Sequence, residues 1–169
     1  AGLLTQTDHT GVESLLEKVR QWVKKEYNRP GNIFLGLVHR LDRNVSGVIL
    51  FARTSKAASR LSKQFREELP KKIYRAIVLG KPGEERTTLI HYLRKEKTLK
   101  TTVFPKETPS TKRAELSYEV IDSLEKNSLV EVTLSTGRFH QIRAQMAFAG
   151  HPIIGDVKYG APDPLPNQG

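Results

Sequence analysis

Apolar residues recur at helical spacing through Val12, Leu15, Leu16, Val19, Trp22, Val23 and Tyr27, with Lys18, Arg20, Lys24 and Lys25 mostly on the other side. The spacing predicts a surface helix whose buried stripe includes Trp22. Thr10 and Glu13 have capping-box spacing at its start, and Asn28-Arg29-Pro30-Gly31 is a stop. A second helix follows Thr54 or Ser55, with Ala58, Leu61, Phe65 and Leu69 as its apolar stripe and Pro70 closing it. Two short apolar runs, Ile33 to Val38 and Gly47 to Ala52, read as strands on either side of a dense polar segment.

Beyond Pro70 the pattern changes to strands. Ile73 to Leu79 is nearly continuously apolar, which predicts burial on both faces and a central place in a sheet. Thr87 to Leu93 and Thr101 to Phe104 flank the polar turn Arg94 to Lys97. Ala114, Leu116, Tyr118 and Val120 alternate with Glu115, Ser117 and Glu119, and Val130, Val132 and Leu134 repeat this period of two. They predict an antiparallel hairpin across Asp122 to Asn127. Phe139, Ile142 and Met146 then return to helical spacing, stopped by Gly150 before His151-Pro152. The last stretch, with Pro162, Pro164 and Pro166, reads as a tail.

At 169 residues the chain has the length of one domain with a real core, and 37% hydrophobic against 27% charged residues describes a soluble globular protein. No apolar run approaches the roughly 20 residues that span a bilayer. The opening Ala1-Gly2-Leu3-Leu4-Thr5 lacks the features of a secretory leader, so none is expected. Cysteine is absent, which excludes disulfides and thiolate metal sites and fits a cytoplasmic location. The net charge of +10, from 28 basic and 18 acidic residues, favours a polyanionic partner, nucleic acid ahead of a membrane surface. Lys56, Arg60, Lys63 and Arg66 step by four, three and three and share one helix face. That row is either a solvated face or a contact for an RNA backbone.

Two polar clusters carry the candidate chemistry: His39-Arg40-Leu41-Asp42-Arg43-Asn44-Val45-Ser46-Gly47 and Ser135-Thr136-Gly137-Arg138-Phe139-His140-Gln141-Ile142-Arg143. The five histidines are scattered, without the spacing of a metal site. No glycine-rich loop is followed by Lys-Ser or Lys-Thr, so a triphosphate cradle is missing, and Ser46 is in no nucleophile elbow. What remains is a lone aspartate near arginine. An arginine partner would favour its ionised form when buried, and a desolvated carboxylate can act as nucleophile or base at a sugar carbon. On the residues alone Asp42 is equally readable as a structural ion pair or a turn residue.

His39-Arg40-Leu41-Asp42, followed by Ser46-Gly47 and an apolar strand, resembles the catalytic motif of the RluA-type pseudouridine synthases. Ala1-Gly2-Leu3 resembles the end of that family's Lys-Pro-x-Gly-Leu segment. Lys72-Ile73-Tyr74-Arg75-Ala76 resembles its tyrosine-bearing strand. Thr136 to Arg143, continuing through Gly150-His151-Pro152-Ile153 to Gly155-Asp156 and Tyr159-Gly160, resembles its C-terminal motif. Val45 stands where the family often has threonine; it keeps the β-branched shape without the hydroxyl.

The resemblance implies an α+β fold with a mixed, mainly antiparallel sheet flanked by helices and loops. Residues 1–160 would be the catalytic domain, lacking the family's first strand, and 161–169 a C-terminal tail, with no separate RNA-binding domain ahead of them. The implied reaction isomerises uridine to pseudouridine in structured RNA, ribosomal or transfer, with no cofactor and no metal. Asp42 would attack the ribose at the glycosidic carbon or remove a proton from the neighbouring carbon. Tyr74 would stack on the target base and assist proton removal, Arg143 would pair with Asp42, and Ile142 would pack against the base. Arg40 would hold the gap left by a flipped nucleotide, while His39 and His140 would support the motifs by hydrogen bonds. A cytoplasmic monomer with no membrane contact and no obligatory protein partner is the expected setting. The rival reading is a non-catalytic RNA-binding or RNA-folding protein using the same basic cleft; a nucleoside glycosidase lacks its second carboxylate.

Overall fold

The computed structural model describes residues 2–8 and 11–165. The chain divides between Pro70 and Lys71 into two compact units. Thr10, on which the expected capping box rests, lies outside the described residues, as do Ala1, His9, Pro166 and the last three positions.

Unit 1 contains helix α1 (Leu15–Glu26), strands β1 (Gly36–Leu37) and β2 (Phe51–Ala52), and helix α2 (Ser55–Arg66). Ser14 is the N-cap of α1, its hydroxyl accepting from the Glu17 amide while Glu17 reaches back to it. The helix therefore starts at Leu15, on a Ser-x-x-Glu pair later than the expected one. Leu16 and Val23 are buried, Leu15 and Val19 half-buried. Trp22, expected in the core, is 55% exposed. At about 100° per residue it sits roughly 120° round the helix from Leu16, outside the narrow buried stripe. Val12 and Tyr27 are exposed as well.

The two apolar runs shrink to two-residue strands that pair antiparallel, Gly36 with Ala52 and Leu37 with Phe51. Val48, in the middle of the second run, is 88% exposed, which removes it from any core. Gly36 lies against α2 so closely that a Cβ there would stand 2.6 Å from Cβ of Ala58. Only glycine permits this approach of strand to helix. Thr54 caps α2 through its hydroxyl, accepting from the Ala57 amide at 3.1 Å. The helix ends at Arg66, four residues before Pro70.

Unit 2 is an antiparallel sheet of five strands, β3 (Lys72–Leu79), β4 (Arg86–Lys95), β5 (Thr101–Phe104), β6 (Lys112–Ser123) and β7 (Asn127–Leu134), followed by helix α3 (Gln141–Phe148). The strand order is β3-β7-β6-β4-β5. The α+β class holds, and every described pairing is antiparallel. The hairpin β6–β7 follows from its alternation. Leu116, Val130 and Val132 are fully buried and Tyr118 nearly so, and they join Val78 and Met146 of α3 in one core.

The expectation for β3 is corrected. It pairs with β7 alone, save for a bridge from Val78 to Ile153, and so ends the ladder rather than running through its middle. Ile73 and Ile77 are about half exposed while Tyr74, Ala76 and Val78 face the core. Apolar content without strict alternation could not reveal which of its two faces is covered. The segment at Pro152 to Ile154 caps the end of β3: the Leu79 amide donates to Pro152 and that of Ile154 to Ile77, each at 2.9 Å. Ala161, at the head of the expected tail, is buried.

Candidate active site

In unit 1 the loop between β1 and β2 presents His39, Arg40 and Asp42. Strands of two residues cannot hold a loop of this length, and hydrogen bonds from the start of the chain do so instead. The Thr5 hydroxyl donates to the Leu41 carbonyl at 3.1 Å and accepts from the Leu41 amide at 3.3 Å. The Gly2 amide donates to the Arg43 carbonyl at 2.7 Å, and Arg43 Nε returns to the Gly2 carbonyl at 3.0 Å. Asp42 lies between these two clamps, half-buried, and its carbonyl accepts from the Val45 amide at 3.0 Å to close a turn.

His39 is tied down on both sides. Its ring stacks on Phe65 of α2 with centroids 4.7 Å apart and 11° between planes. Its Nε2 accepts the Leu50 amide at 2.9 Å. An acceptor nitrogen must be unprotonated, so the imidazole is neutral with its proton on Nδ1. Burial acts the same way, holding its pKa below the ordinary value. Arg40 is exposed.

In unit 2, Tyr74 lies on β3 opposite Val132 and is half-buried against the core. The second cluster is shaped by buried polar residues. The Thr136 hydroxyl donates to Gln141 Oε1 at 2.8 Å and accepts from the Glu115 amide at 2.9 Å. Gln141 Oε1 also accepts the Arg138 amide at 2.8 Å, and its Nε2 donates to the Glu115 carbonyl at 3.0 Å. These bonds set the loop that enters α3, at whose head His140 takes a left-handed backbone, φ 52°. Its side chain makes no helix cap there. It joins a different network.

Arg143 projects from the first turn of α3 and forms a two-pronged pair with Asp156, Nε to Oδ2 at 2.6 Å and Nη2 to Oδ1 at 2.7 Å. The Asp156 side chain is only 8% exposed, so this charge-assisted fork fixes the plane of the guanidinium. Arg143 Nη1 meets His140 Nε2 at 3.1 Å, and His140 Nδ1 meets the Tyr159 hydroxyl at 2.9 Å. A guanidinium can only donate, so Nε2 accepts and Nδ1–H donates to Tyr159. The Tyr159 oxygen takes a second bond from the Thr101 amide at 2.8 Å. Burial raises the Tyr159 pKa above its ordinary value against the opposing pull of Thr101 and Arg143, so the phenol stays protonated. Its ring lies under the Arg143 guanidinium at 4.9 Å. Phe139 stacks on His140 at 3.8 Å, and Ile142 is half-buried against the core.

The structure therefore groups the expected residues in two sets: His39, Arg40 and Asp42 on one loop of unit 1, and Tyr74, His140, Ile142 and Arg143 in unit 2. Asp156, Tyr159, Thr101 and Thr5 were not assigned roles from the sequence. For Asp156 and Tyr159 the available signal was their place in the C-terminal motif, as Gly155-Asp156 and Tyr159-Gly160; Thr5 and Thr101 carried none.

A family model described as RNA pseudouridylate synthase matches residues 1–148, a stretch that includes Asp42, Tyr74 and Arg143. An uncharacterised RNA pseudouridine synthase of Chlorobaculum parvum is 41% identical over 131 residues, 76% of this chain and 40% of its own length. Ribosomal large subunit pseudouridine synthase C of Vibrio parahaemolyticus is 36% identical over 132 residues, 78% of this chain and 41% of its own. Among solved structures, human RNA pseudouridylate synthase domain containing 4 superposes with a TM-score of 0.81 at 24% identity, covering 98% of this chain and 67% of that one, a likeness of fold. The chain belongs to the RNA pseudouridylate synthase family. It spans about two fifths of the length of the curated relatives it matches.

Proposed function

We propose that this chain isomerises uridine to pseudouridine in structured RNA, ribosomal or transfer, with residues 1–160 as its catalytic domain. The observation that carries this reading is the family match over residues 1–148, a stretch that contains Asp42, Tyr74 and Arg143.

In the proposed reaction Asp42 attacks C1′ of the ribose or removes a proton from C2′, and the N1–C1′ bond breaks. The leaving uracil carries its own negative charge, so no second carboxylate has to protonate it. The base turns and C5 bonds to C1′, displacing Asp42 from C1′ in the first route or with return of the proton to C2′ in the second. The proton lost from C5 ends on N1, and the reaction balances as an isomerisation without cofactor or metal. Tyr74 stacks on the base and assists the final proton transfer. Arg143 pairs with Asp42, its orientation set by the Asp156 fork and the neutral His140. Arg40 holds the gap left by the flipped nucleotide, and Ile142 lies against the base. His39 supports the loop. Among the described residues no helix is long and apolar enough to cross a membrane; a cytoplasmic monomer completes the proposal.

Chemical labelling of pseudouridine after incubation with total RNA tests the reading. New labelled sites that appear with the parent and vanish with Asp42→Asn are expected. An RNA-binding protein without activity would bind and leave the uridines unchanged, and that result would overturn it.

A further inference from the structure

Trp22, the only tryptophan of the chain, lies in the open with Tyr27 beside it. The two rings meet edge to face with centroids 6.2 Å apart. The guanidinium of Arg53 lies over Tyr27 at 4.6 Å. Large exposed aromatics held against a cation do not contribute to a core, and their flat faces suit a nucleobase.

Arg53 immediately precedes Thr54, the cap of α2. From there Lys56, Arg60, Lys63 and Arg66, all exposed, continue along the helix for about 15 Å at 1.5 Å per residue. The apolar positions Ala58, Leu61 and Phe65 lie on the opposite face. No acidic residue stands in the first turn, so the positive end of the helix adds to the row. Lys63 has a loose pair with Glu67 at 3.8 Å, both exposed, which a phosphate can displace. The same helix seats His39 on Phe65, three residues from Asp42.

We propose that this face of unit 1 binds a single-stranded stretch of the RNA substrate, one base stacking on Trp22 and the following phosphates running along the α2 row. The inference rests on the RNA reading above and adds to it where unpaired RNA is held. Aromatic faces continued by a line of cations are the arrangement that single strands need, since every base offers a stacking face and every phosphate a charge.

The lone tryptophan makes the test direct. The full chain is titrated with two fluorescein-labelled RNA hairpins, one blunt and one carrying a single-stranded oligouridine flank, following anisotropy for binding and Trp22 emission for stacking. The flanked hairpin is expected to bind more tightly and to quench Trp22. Trp22→Leu should erase that preference, raising Kd for the flanked hairpin about tenfold, and Trp22→Phe, which keeps a stacking face, should restore most of it. Removing the α2 charges together (Lys56→Gln, Arg60→Gln, Lys63→Gln, Arg66→Gln) should lower the slope of log K against log salt by about 3. The same number of charges removed from exposed loop lysines (Lys81→Gln, Lys97→Gln, Lys106→Gln, Lys126→Gln) should lower it less. Unquenched Trp22 at saturating flanked hairpin overturns the proposal, as does an unchanged slope or an equal effect of the loop lysines. If the parent makes pseudouridine and still fails these arms, this inference alone falls; if it neither binds nor modifies RNA, the RNA reading falls with it.

Discussion

The two units hold their candidate residues by different means. In unit 2, Tyr74 stands on an eight-residue strand and Arg143 on a helix, both backed by a core in which Val78, Leu116, Val130, Val132 and Met146 are fully buried. In unit 1, Asp42 stands on a loop between two-residue strands, fastened by hydrogen bonds from Thr5 and Gly2. Buried apolar surface gives stability in bulk, about 25 cal/mol for each Å². A few hydrogen bonds give position with little reserve, each a net of about 1 kcal/mol. Low local stability is common where a loop must admit a substrate, and Asp42, the carboxylate proposed to react, stands on such a lightly fastened loop.

The largest effect belongs to the smallest change. Asp42→Asn is expected to cut the single-turnover rate of pseudouridine formation at least about a thousandfold while circular dichroism stays that of the parent; retained turnover removes Asp42 from the chemistry. In the core of unit 2, Leu116→Ala should cost about 4 kcal/mol, read from the urea midpoint. A cost below about 1 kcal/mol would show that the sheet is no better packed than the loop, erasing the contrast. Asp156→Ala leaves Arg143 partly buried without its fork and should cost about 3 kcal/mol. Because Asp156 acts through Arg143, Asp156→Glu is expected to recover more activity than Asp156→Ala when both are compared at equal folded fraction.

Thr5→Val removes both bonds to Leu41 and should cost about 2 kcal/mol. Its signature is local, with faster amide exchange at Leu41 and little change in the β6–β7 hairpin; uniform acceleration would mean that the Thr5 clamp is not local. The smallest effect is a pH dependence. His39 is neutral in the fold with its pKa held below the ordinary 6.5, whereas the unfolded chain takes up the proton near that value. Its contribution is therefore present above about pH 6.5 and is lost as pH falls through the lower folded value. His91, also held low by burial, works in the same sense, so the comparison is between the parent and His39→Gln: the variant should lose part of the decline in urea midpoint between pH 7 and 5. An unchanged decline would assign it elsewhere.

The amino-acid sequence by itself determined the local elements and the order of the motifs. Strict alternation in β6 and β7 identified both strands and their hairpin, because side chains in a strand repeat every two residues. Helical spacing located α2 and α3, and two polar clusters marked the loop that carries Asp42 and the helix start that carries Arg143. Only the tertiary structure decided who shares a neighbourhood with whom. It put β3 at the end of its ladder and Trp22 in the open, since a local pattern records apolar content without the partners that cover it. It joined Thr5 to Leu41 across 36 positions, Arg143 to Asp156 across 13 and His140 to Tyr159 across 19. Bonds of that reach follow from chain packing in three dimensions, and no period along the sequence encodes them.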